Sequence, residues 1–175
     1  MLVLGAAVSG LAAARLLVAD GHDVVLFDAD PVAVPHPLRS GRWSPRYLAG
    51  VDLVVTSPGF PETSPPVVDT LAAGVPLWSE VELAFRHLSV PLVGVTGTNG
   101  KTTVTTLVSS MLIASGVRAP AAGNIGSPLC DVVGTDVDAV VVELSSFQLR
   151  FIDTLAVPVA VVTNIAADHL DWHPD

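Results

Sequence analysis

One lysine in a glycine-rich turn is the residue of this sequence best suited to phosphate chemistry. The stretch VGVTGTNGKTTVTTLV, residues 93–108, passes from apolar residues through a glycine-rich turn to Lys101 and then becomes rich in hydroxyl groups. Glycines let successive backbone N–H groups turn towards phosphate oxygens, a lysine reaches the β- and γ-phosphates, and the Thr102 hydroxyl is placed to bind Mg²⁺. We therefore predict a nucleotide site formed by Gly97, Thr98, Asn99, Gly100, Lys101, Thr102 and Thr103.

The loop misses the strict phosphate-loop pattern by one residue. The pattern requires a glycine five positions before Gly100, where this sequence has Val95, and Gly94 lies one residue too early. The alternative interpretation is a glycine turn with a solvent-exposed lysine. Against it, a lysine at a helix start opposes the helix dipole at a cost of about 0.3–1 kcal/mol, which a bound anion would remove.

An acid, an amide and an imidazole follow apolar stretches farther along the chain. Glu143 ends the apolar run in DAVVVELSS, Asn124 lies between glycines in AAGNIG, and His169 follows the last apolar stretch in TNIAADHLDWH. Ligands gather at the carboxyl ends of parallel strands, so Glu143 is a candidate Mg²⁺ ligand and Asn124 a candidate donor to a substrate carboxylate. His169 is a candidate for a second Mg²⁺ or for orienting a carboxylate. The plainer alternatives are a charge emerging from the core for Glu143 and ordinary turn chemistry for Asn124.

A second glycine turn lies near the N-terminus. The stretch LGAAVSGLAAA, residues 4–14, has alanine where the second glycine of a dinucleotide-binding turn lets the backbone approach a pyrophosphate. A helix starting here offers free N–H groups to a diphosphate near Val8 and Ser9, and Asp28 could accept hydrogen bonds from a ribose or a base. A turn without a ligand and an NAD-dependent oxidoreductase remain alternatives.

Short apolar strands and helices alternate along the chain and must position these residues. This alternation predicts an α/β fold of parallel sheets with helices on both faces. We expect a Rossmann-like N-terminal domain at residues 1–89, then an incomplete P-loop-type ATPase domain with a parallel sheet at residues 90–175. Helices are predicted at 9–19, 66–73, 80–87 and 102–115, and the proline-rich stretch ADPVAVPHPLRSGRWSP is predicted to be irregular.

The amino-acid composition limits the classes of protein to which the chain can belong. Half of the 175 residues are apolar and 14% are charged, which is ample material for a buried core. A net charge of -9 with only eight lysines and arginines argues against binding to nucleic acid. The single cysteine excludes an internal disulfide, and no apolar run reaches the ~18 residues of a membrane span. We expect a cytoplasmic monomer.

Together the motifs resemble those of the Mur ligase family. The matching stretches are GVTGTNGKTTVTTLV, AAGNIG, VELSSFQL and TNIAADHLDWH, in order and at family-like spacing, with TSPG at residues 56–59 and the N-terminal glycine turn. The lysine loop alone would also fit the related folylpolyglutamate synthases. SSFQL and GNIG, together with the N-terminal domain, narrow the resemblance to members that add D-glutamate to UDP-N-acetylmuramoyl-L-alanine.

The resemblance implies an ATP-dependent acid–amino-acid ligase of peptidoglycan synthesis, with ATP and Mg²⁺ as cofactors. ATP would phosphorylate the alanyl carboxylate, and the amine of D-glutamate would attack the acyl phosphate. The catalytic residues implied are Lys101 on the phosphates, Glu143 on the Mg²⁺ of ATP together with Thr102, and His169 on a second Mg²⁺. The substrate residues implied are Val8, Ser9, Asp28, Ser57, Gly59, Asn124 and His169, with Asp28 near the uracil.

Two departures from the family pattern affect these expectations. Family members commonly follow the position of Asp28 with threonine and arginine, whereas this sequence has Ala29 and Asp30. The family's modified lysine and its third domain have no counterpart in these residues, so we expect a fragment that does not turn over alone. A further alternative is a non-catalytic nucleotide-binding module. Such a module would keep the lysine loop but would lose the role of the acid Glu143.

Overall fold

A five-stranded parallel sheet forms the N-terminal half of the molecule. The computed structural model describes residues 1–169, and this first sheet has the strand order β3-β2-β1-β4-β5. The central strands of the sheet are short, mainly apolar runs, as buried parallel strands require. The strands are β1 (Leu2–Leu4), β2 (Val25–Asp28), β3 (Leu38–Ser40), β4 (Val54–Thr56) and β5 (Leu77–Ser79).

A four-stranded parallel sheet follows, with the order β7-β8-β6-β9. Its central strands β6 and β8 pair in register from Leu92 opposite Val140 to Val95 opposite Glu143. The loop that leaves β6 and the acid that ends β8 therefore lie at the same edge. The strands are β6 (Leu92–Thr96), β7 (Ala121–Gly123), β8 (Val140–Glu143) and β9 (Val159–Val162).

Five α-helices are described within residues 1–169: α1 (Val8–Ala19), α2 (Pro65–Ala72), α3 (Glu80–His87), α4 (Lys101–Ala114) and α5 (Ser146–Leu149). One core of buried side chains extends from α1 and α3 to the second sheet, and a second core lies on the α2 side of the first sheet. The predicted parallel α/β architecture is thus confirmed. No helix in residues 1–169 combines the length and apolar character needed to cross a membrane.

The proline-rich segment is more ordered than its sequence predicted. It contains β3, which pairs with β2, and a short 3₁₀ helix (Pro45–Leu48) begins at its last residue. The prediction of an irregular segment was wrong there, because β3 is a three-residue edge strand without a readable period. The predicted helices start or end within one residue of the observed ones, and the single-turn α5 in SSFQL was not predicted.

Glu82 joins the helix α3 to the second half of the chain. Its carboxylate is fully buried and accepts hydrogen bonds from the amides of Asp153, Thr154 and Leu155, the Thr154 hydroxyl and Arg86 Nε, at 2.6–3.1 Å. Burial alone would raise the pKa of Glu82, but these hydrogen bonds outweigh it and hold the pKa below its usual value. The charged form is therefore the one that the fold stabilises.

Glu80, two residues earlier, has the opposite environment. It is 2% exposed, one carboxylate oxygen accepts the backbone N–H of Cys130, and Oε2 has no hydrogen-bond partner among the described residues. Burial raises the pKa of Glu80 to about 7, and the bond from Cys130 only partly offsets it. Near neutral pH this acid is therefore partly protonated.

The Glu80→Gln substitution is expected to remove a pH dependence of stability. Because the folded pKa lies above the unfolded value, the protein's free energy of unfolding falls as pH rises from about 4.5 to about 7 and then levels off. The loss is on the order of 3 kcal/mol, since each pKa unit corresponds to about 1.4 kcal/mol. Urea unfolding at pH 5 and pH 8 should show this slope in the parent chain and a much smaller one in the variant.

Glu82→Gln is the matched control for that comparison. It removes a carboxylate that is stabilised in its charged form, so it should destabilise the protein more at pH 8 than at low pH. An unchanged pH slope in Glu80→Gln would contradict the prediction.

Candidate functional site

The lysine loop connects β6 to α4 through two glycines with positive φ. Gly97 has φ 131° and Gly100 has φ 85°. A Cβ at Gly97 would lie 2.2 Å from Thr163 Oγ1 and 2.8 Å from the carbonyl oxygen of Asn164. No larger side chain fits between the loop and the segment that follows β9, so glycine is required there by conformation and by space.

The segment after β9 clamps this loop. Asn164 accepts the Thr98 amide on its carbonyl (3.0 Å) and the Asn99 amide on Oδ1 (3.0 Å), and its Nδ2 donates to the Asn99 carbonyl (2.8 Å). The Thr163 hydroxyl donates to the same carbonyl at 2.7 Å, and the Thr98 hydroxyl exchanges hydrogen bonds with Ala166. The protein thus uses two of the amides that were predicted to face phosphate.

The first turn of α4 supplies the remaining amides. Its N-cap, Gly100, has no side chain to satisfy them, so the N–H groups of Lys101, Thr102 and Thr103 begin the helix uncapped by a side chain. Lys101 folds back over the loop and donates from Nζ to the carbonyls of Gly97 (2.7 Å) and Thr98 (3.0 Å). The positive charge of Lys101 and the positive end of the α4 helix dipole therefore lie together at the mouth of the loop.

Glu143 and Asn124 meet at the carboxyl edge of the second sheet, as the sequence predicted for their strands. Asn124 Nδ2 donates to Glu143 Oε1 at 2.8 Å, and the Asn124 amide donates to the Glu143 carbonyl at 2.9 Å. Glu143 is 2% exposed, and its Oε2 is buried with no hydrogen-bond partner among the described residues. An unpartnered buried carboxylate oxygen is costly, and a divalent cation is the kind of group that would satisfy it.

His169 lies farther along the same edge. Its ring is 4.9 Å from that of Phe147 in α5, its amide donates to Asp168 Oδ1 at 2.9 Å, and its φ is 50°. No hydrogen bond or ion pair described for residues 1–169 joins it to Glu143 or Lys101. The rest of its motif, residues 170–175, lies outside the described residues.

The metal ligands predicted from the sequence are Thr102, Glu143 and His169. Within residues 1–169, no group of three histidine, cysteine, aspartate or glutamate side chains is arranged to hold a metal ion. Mg²⁺ commonly takes one or two protein ligands and completes its shell with phosphate oxygens and water. The predicted pair of Glu143 and Thr102 would need a nucleotide to bring part of the coordination shell.

A cavity of about 700 Å³ opens at the carboxyl ends of β1, β2 and β4. Among its lining residues are the five substrate residues predicted in the first half of the chain: Val8, Ser9, Asp28, Ser57 and Gly59. The Ser57 hydroxyl is buried there without a hydrogen-bond partner among the described residues. The structure thus brings these five together, away from the lysine loop.

Asp28 supports the glycine turn at this cavity. Its Oδ2 accepts the Ala6 amide at 2.8 Å and its Oδ1 accepts the Asp30 amide at 3.2 Å. Gly5 has φ 99°, and a Cβ at Gly10 would lie 1.9 Å from the Gly5 carbonyl oxygen. Both glycines are therefore required by the turn itself, whether or not a ligand binds.

Comparison with known proteins identifies the chain's relatives. A sequence model of the Mur ligase middle domain matches residues 95–175. Over 99% of its length, the chain is 44% identical to the UDP-N-acetylmuramoylalanine–D-glutamate ligase of Frankia casuarinae. Residues 95–175 thus match the Mur ligase middle domain, and nearly the whole chain is similar to Mur ligases.

Other Mur ligases match the chain over a similar share of its length. The enzymes of the same name from Mycobacterium tuberculosis and Geobacter metallireducens are 44% and 45% identical over 99% and 98% of the chain. The chain spans about two fifths of these relatives, namely 40% of the Frankia protein, 38% of the mycobacterial one and 41% of the Geobacter one.

Solved structures of Mur ligases share the fold. The UDP-N-acetylmuramate:L-alanyl-gamma-D-glutamyl-meso-diaminopimelate ligase of Neisseria meningitidis superposes with a TM-score of 0.58 at 19% identity, covering 99% of this chain and 63% of that one. The UDP-N-acetylmuramate–alanine ligase of Thermotoga maritima gives 0.56 at 21% identity, covering 99% and 43%. The parallel α/β architecture of the chain is thus that of Mur ligases.

Proposed function

We propose that this chain is part of an ATP-dependent ligase that joins D-glutamate to UDP-N-acetylmuramoyl-L-alanine in peptidoglycan synthesis. Relatives of that name match nearly the whole chain at 44–45% identity. The observation that carries the proposal is the buried Glu143 Oε2, which has no hydrogen-bond partner within residues 1–169 and lies at the sheet edge where the lysine loop leads into α4. A phosphate loop beside an unsatisfied carboxylate fits a site for a metal-bound nucleotide.

The proposed chemistry converts a carboxylate into an electrophile. A carboxylate resists attack by an amine because its leaving group would be oxide, and phosphorylation by ATP supplies phosphate instead. Lys101 and the first-turn amides of α4 would hold the β- and γ-phosphates in line with the acceptor carboxylate. Mg²⁺ held by Thr102 and Glu143, with His169 at a second ion, would neutralise charge on the phosphate oxygens.

The two halves of the chain would bind different substrates. Residues 1–89 would bind the UDP-linked substrate, with the diphosphate at Val8 and Ser9, the uracil near Asp28 and the sugar beside Ser57 and Gly59. Residues 90–175 would bind ATP, and Asn124 and His169 would face the carboxylate to be activated. Since the reaction uses ATP, we place the protein in the cytoplasm. We also propose that it acts as a monomer.

Calorimetric titration of the 175-residue chain tests this function. Mg-ATP and UDP-N-acetylmuramoyl-L-alanine are each expected to bind, and NADH is not. The dehydrogenase alternative makes the reverse prediction, since it uses the first glycine turn and gives the lysine loop no role. Binding of NADH without binding of the UDP-sugar would overturn the proposal.

Asn164 is expected to position the loop for ATP. Asn164→Ala removes both side-chain bonds to Asn99 and should weaken Mg-ATP binding about tenfold, because the loop loses part of its preorganisation. Asn164→Asp retains the acceptor and loses the donor, so its affinity should be intermediate. Titration calorimetry measures the effect, and the melting temperature reports any general loss of stability.

Ser115→Ala serves as the control for that substitution. Its hydroxyl bonds to the Met111 carbonyl at the opposite end of α4, so its loss should leave ATP affinity unchanged. Equal affinities in Asn164→Ala and the parent chain would show that the clamp does not position the loop.

A further inference from the structure

The end of β2 offers limited side-chain contact to a base. Each oxygen of Asp28 already accepts one backbone hydrogen bond, from Ala6 and from Asp30. Ala29, which lines the cavity, has no polar group in its side chain, and Asp30 does not line the cavity. If a nucleoside binds here, the main attraction for its base must come from another wall of the cavity.

Aromatic side chains form that wall. Phe27, Trp43 and Phe60 all line the cavity, and the Phe27 ring centroid is 4.9 Å from that of Trp43 and 6.3 Å from that of Phe60. Phe27 is 2% exposed, whereas Trp43 and Phe60 are each partly exposed. The accessible aromatic surface therefore belongs to the latter two.

Trp43 is held in place by its neighbours. Its indole N–H donates to Asp69 Oδ2 at 2.8 Å, and its ring meets Phe27 at 76° and Tyr47 at 89°, both edge-to-face contacts. Because the N–H is used within the protein, Trp43 offers the cavity apolar ring surface. A ring fixed in this way loses little entropy when a planar ligand stacks on it.

The distance across the sheet suits a nucleotide. Trp43 follows β3, and the helix α1, whose N-terminus suits a diphosphate, follows β1. These strands lie on either side of β2, so they are separated by about 10 Å at the usual strand spacing. A ribose linking a base to a diphosphate bridges a gap of this order.

We propose that Trp43 is the stacking surface for the base of the nucleoside diphosphate in this cavity. The inference rests on the proposed function, which supplies a UDP-linked substrate, and it adds a recognition residue that stands in for the missing threonine and arginine. Stacking on an aromatic side chain recognises the face of a base and does not depend on hydrogen bonds.

Titration with UDP and with inorganic pyrophosphate, which lacks the base, separates the two parts of the site. Trp43→Ala is expected to weaken UDP binding about ten- to hundredfold and to leave pyrophosphate binding unchanged. Trp43→Phe, which keeps a smaller ring, should lose less. UDP should also quench tryptophan fluorescence in the parent chain, and this signal should be lost in Trp43→Phe.

Retained pyrophosphate binding shows that the cavity of Trp43→Ala is folded. Equal losses for UDP and pyrophosphate, or UDP affinity unchanged in both variants, would overturn the stacking role. If the Trp43→Ala protein does not fold, the Trp43→Phe variant decides. Quenching of tryptophan fluorescence by UDP that persists in Trp43→Phe would also overturn the stacking role. Failure of the parent chain to bind UDP at all would overturn the proposed function itself, which is a distinct outcome.

Discussion

Replacing Lys101 with alanine is expected to reduce the affinity of the chain for Mg-ATP by at least two orders of magnitude. The ammonium group sits over the loop on the carbonyls of Gly97 and Thr98, at the positive end of α4. Charge-assisted hydrogen bonds to phosphate contribute roughly 1.5–3 kcal/mol each, and Lys101 can donate more than one. Titration calorimetry of the 175-residue chain measures the loss.

Two variants make this test specific. Lys101→Arg keeps the charge but replaces a compact ammonium with a planar fork, so it should recover only part of the affinity. Arg118→Ala removes an exposed cation that pairs with Asp136 and Asp138, and it should leave ATP binding unchanged. In a full-length ligase with this sequence, Lys101→Ala should also abolish D-glutamate-dependent phosphate release. An alanine variant that binds Mg-ATP normally would remove Lys101 from the site.

Glu143→Gln is expected to raise the Mg²⁺ concentration needed for tight ATP binding at least tenfold. The amide keeps the size of the side chain and an oxygen for Asn124, but it removes the negative charge that a divalent cation requires. The same change should leave the metal-free protein as stable as the parent or more so, because it removes a buried carboxylate oxygen that no other described residue satisfies.

Thermal unfolding in EDTA and in increasing Mg²⁺ with ATP distinguishes these effects. The parent chain should gain stability with Mg-ATP at low metal concentrations, whereas the variant should need much more metal for the same gain. Asn124→Ala is the companion substitution. It removes the hydrogen bond to Glu143 Oε1 and leaves the negative charge of Glu143 unchanged. If Mg²⁺ dependence is the same in Glu143→Gln and in the parent, Glu143 is not at the metal.

Much of the fold was readable from local patterns. The helix at residues 80–87 was predicted with its observed bounds, because its apolar positions recur at helical spacing and charged residues occupy its ends. The strand ending at Glu143 was readable as a short apolar run before an acid. The lysine loop was recognisable because glycine, lysine and threonine have few other reasons to occur in that order before a helix.

The parts that were missed depend on residues far apart in the chain. Asn164 clamps Asn99 across 65 positions, and no local pattern connects them. Trp43 lies in a proline-rich stretch without period, so its place in the cavity follows only from the pairing of β3 with β2. Glu80 and Glu82 look alike in sequence, yet the carboxylate of Glu80 accepts one backbone hydrogen bond among the described residues and that of Glu82 accepts five.

The hydrogen bond from Asn124 to Glu143 has a consequence for the choice of ion. With Oε1 occupied by the amide, the carboxylate can present a single oxygen to a metal. Calcium often takes both oxygens of a carboxylate, whereas the smaller magnesium demands an octahedron of single contacts near 2.0–2.1 Å. Selectivity for the smaller ion would then be imposed by a side chain that never touches it.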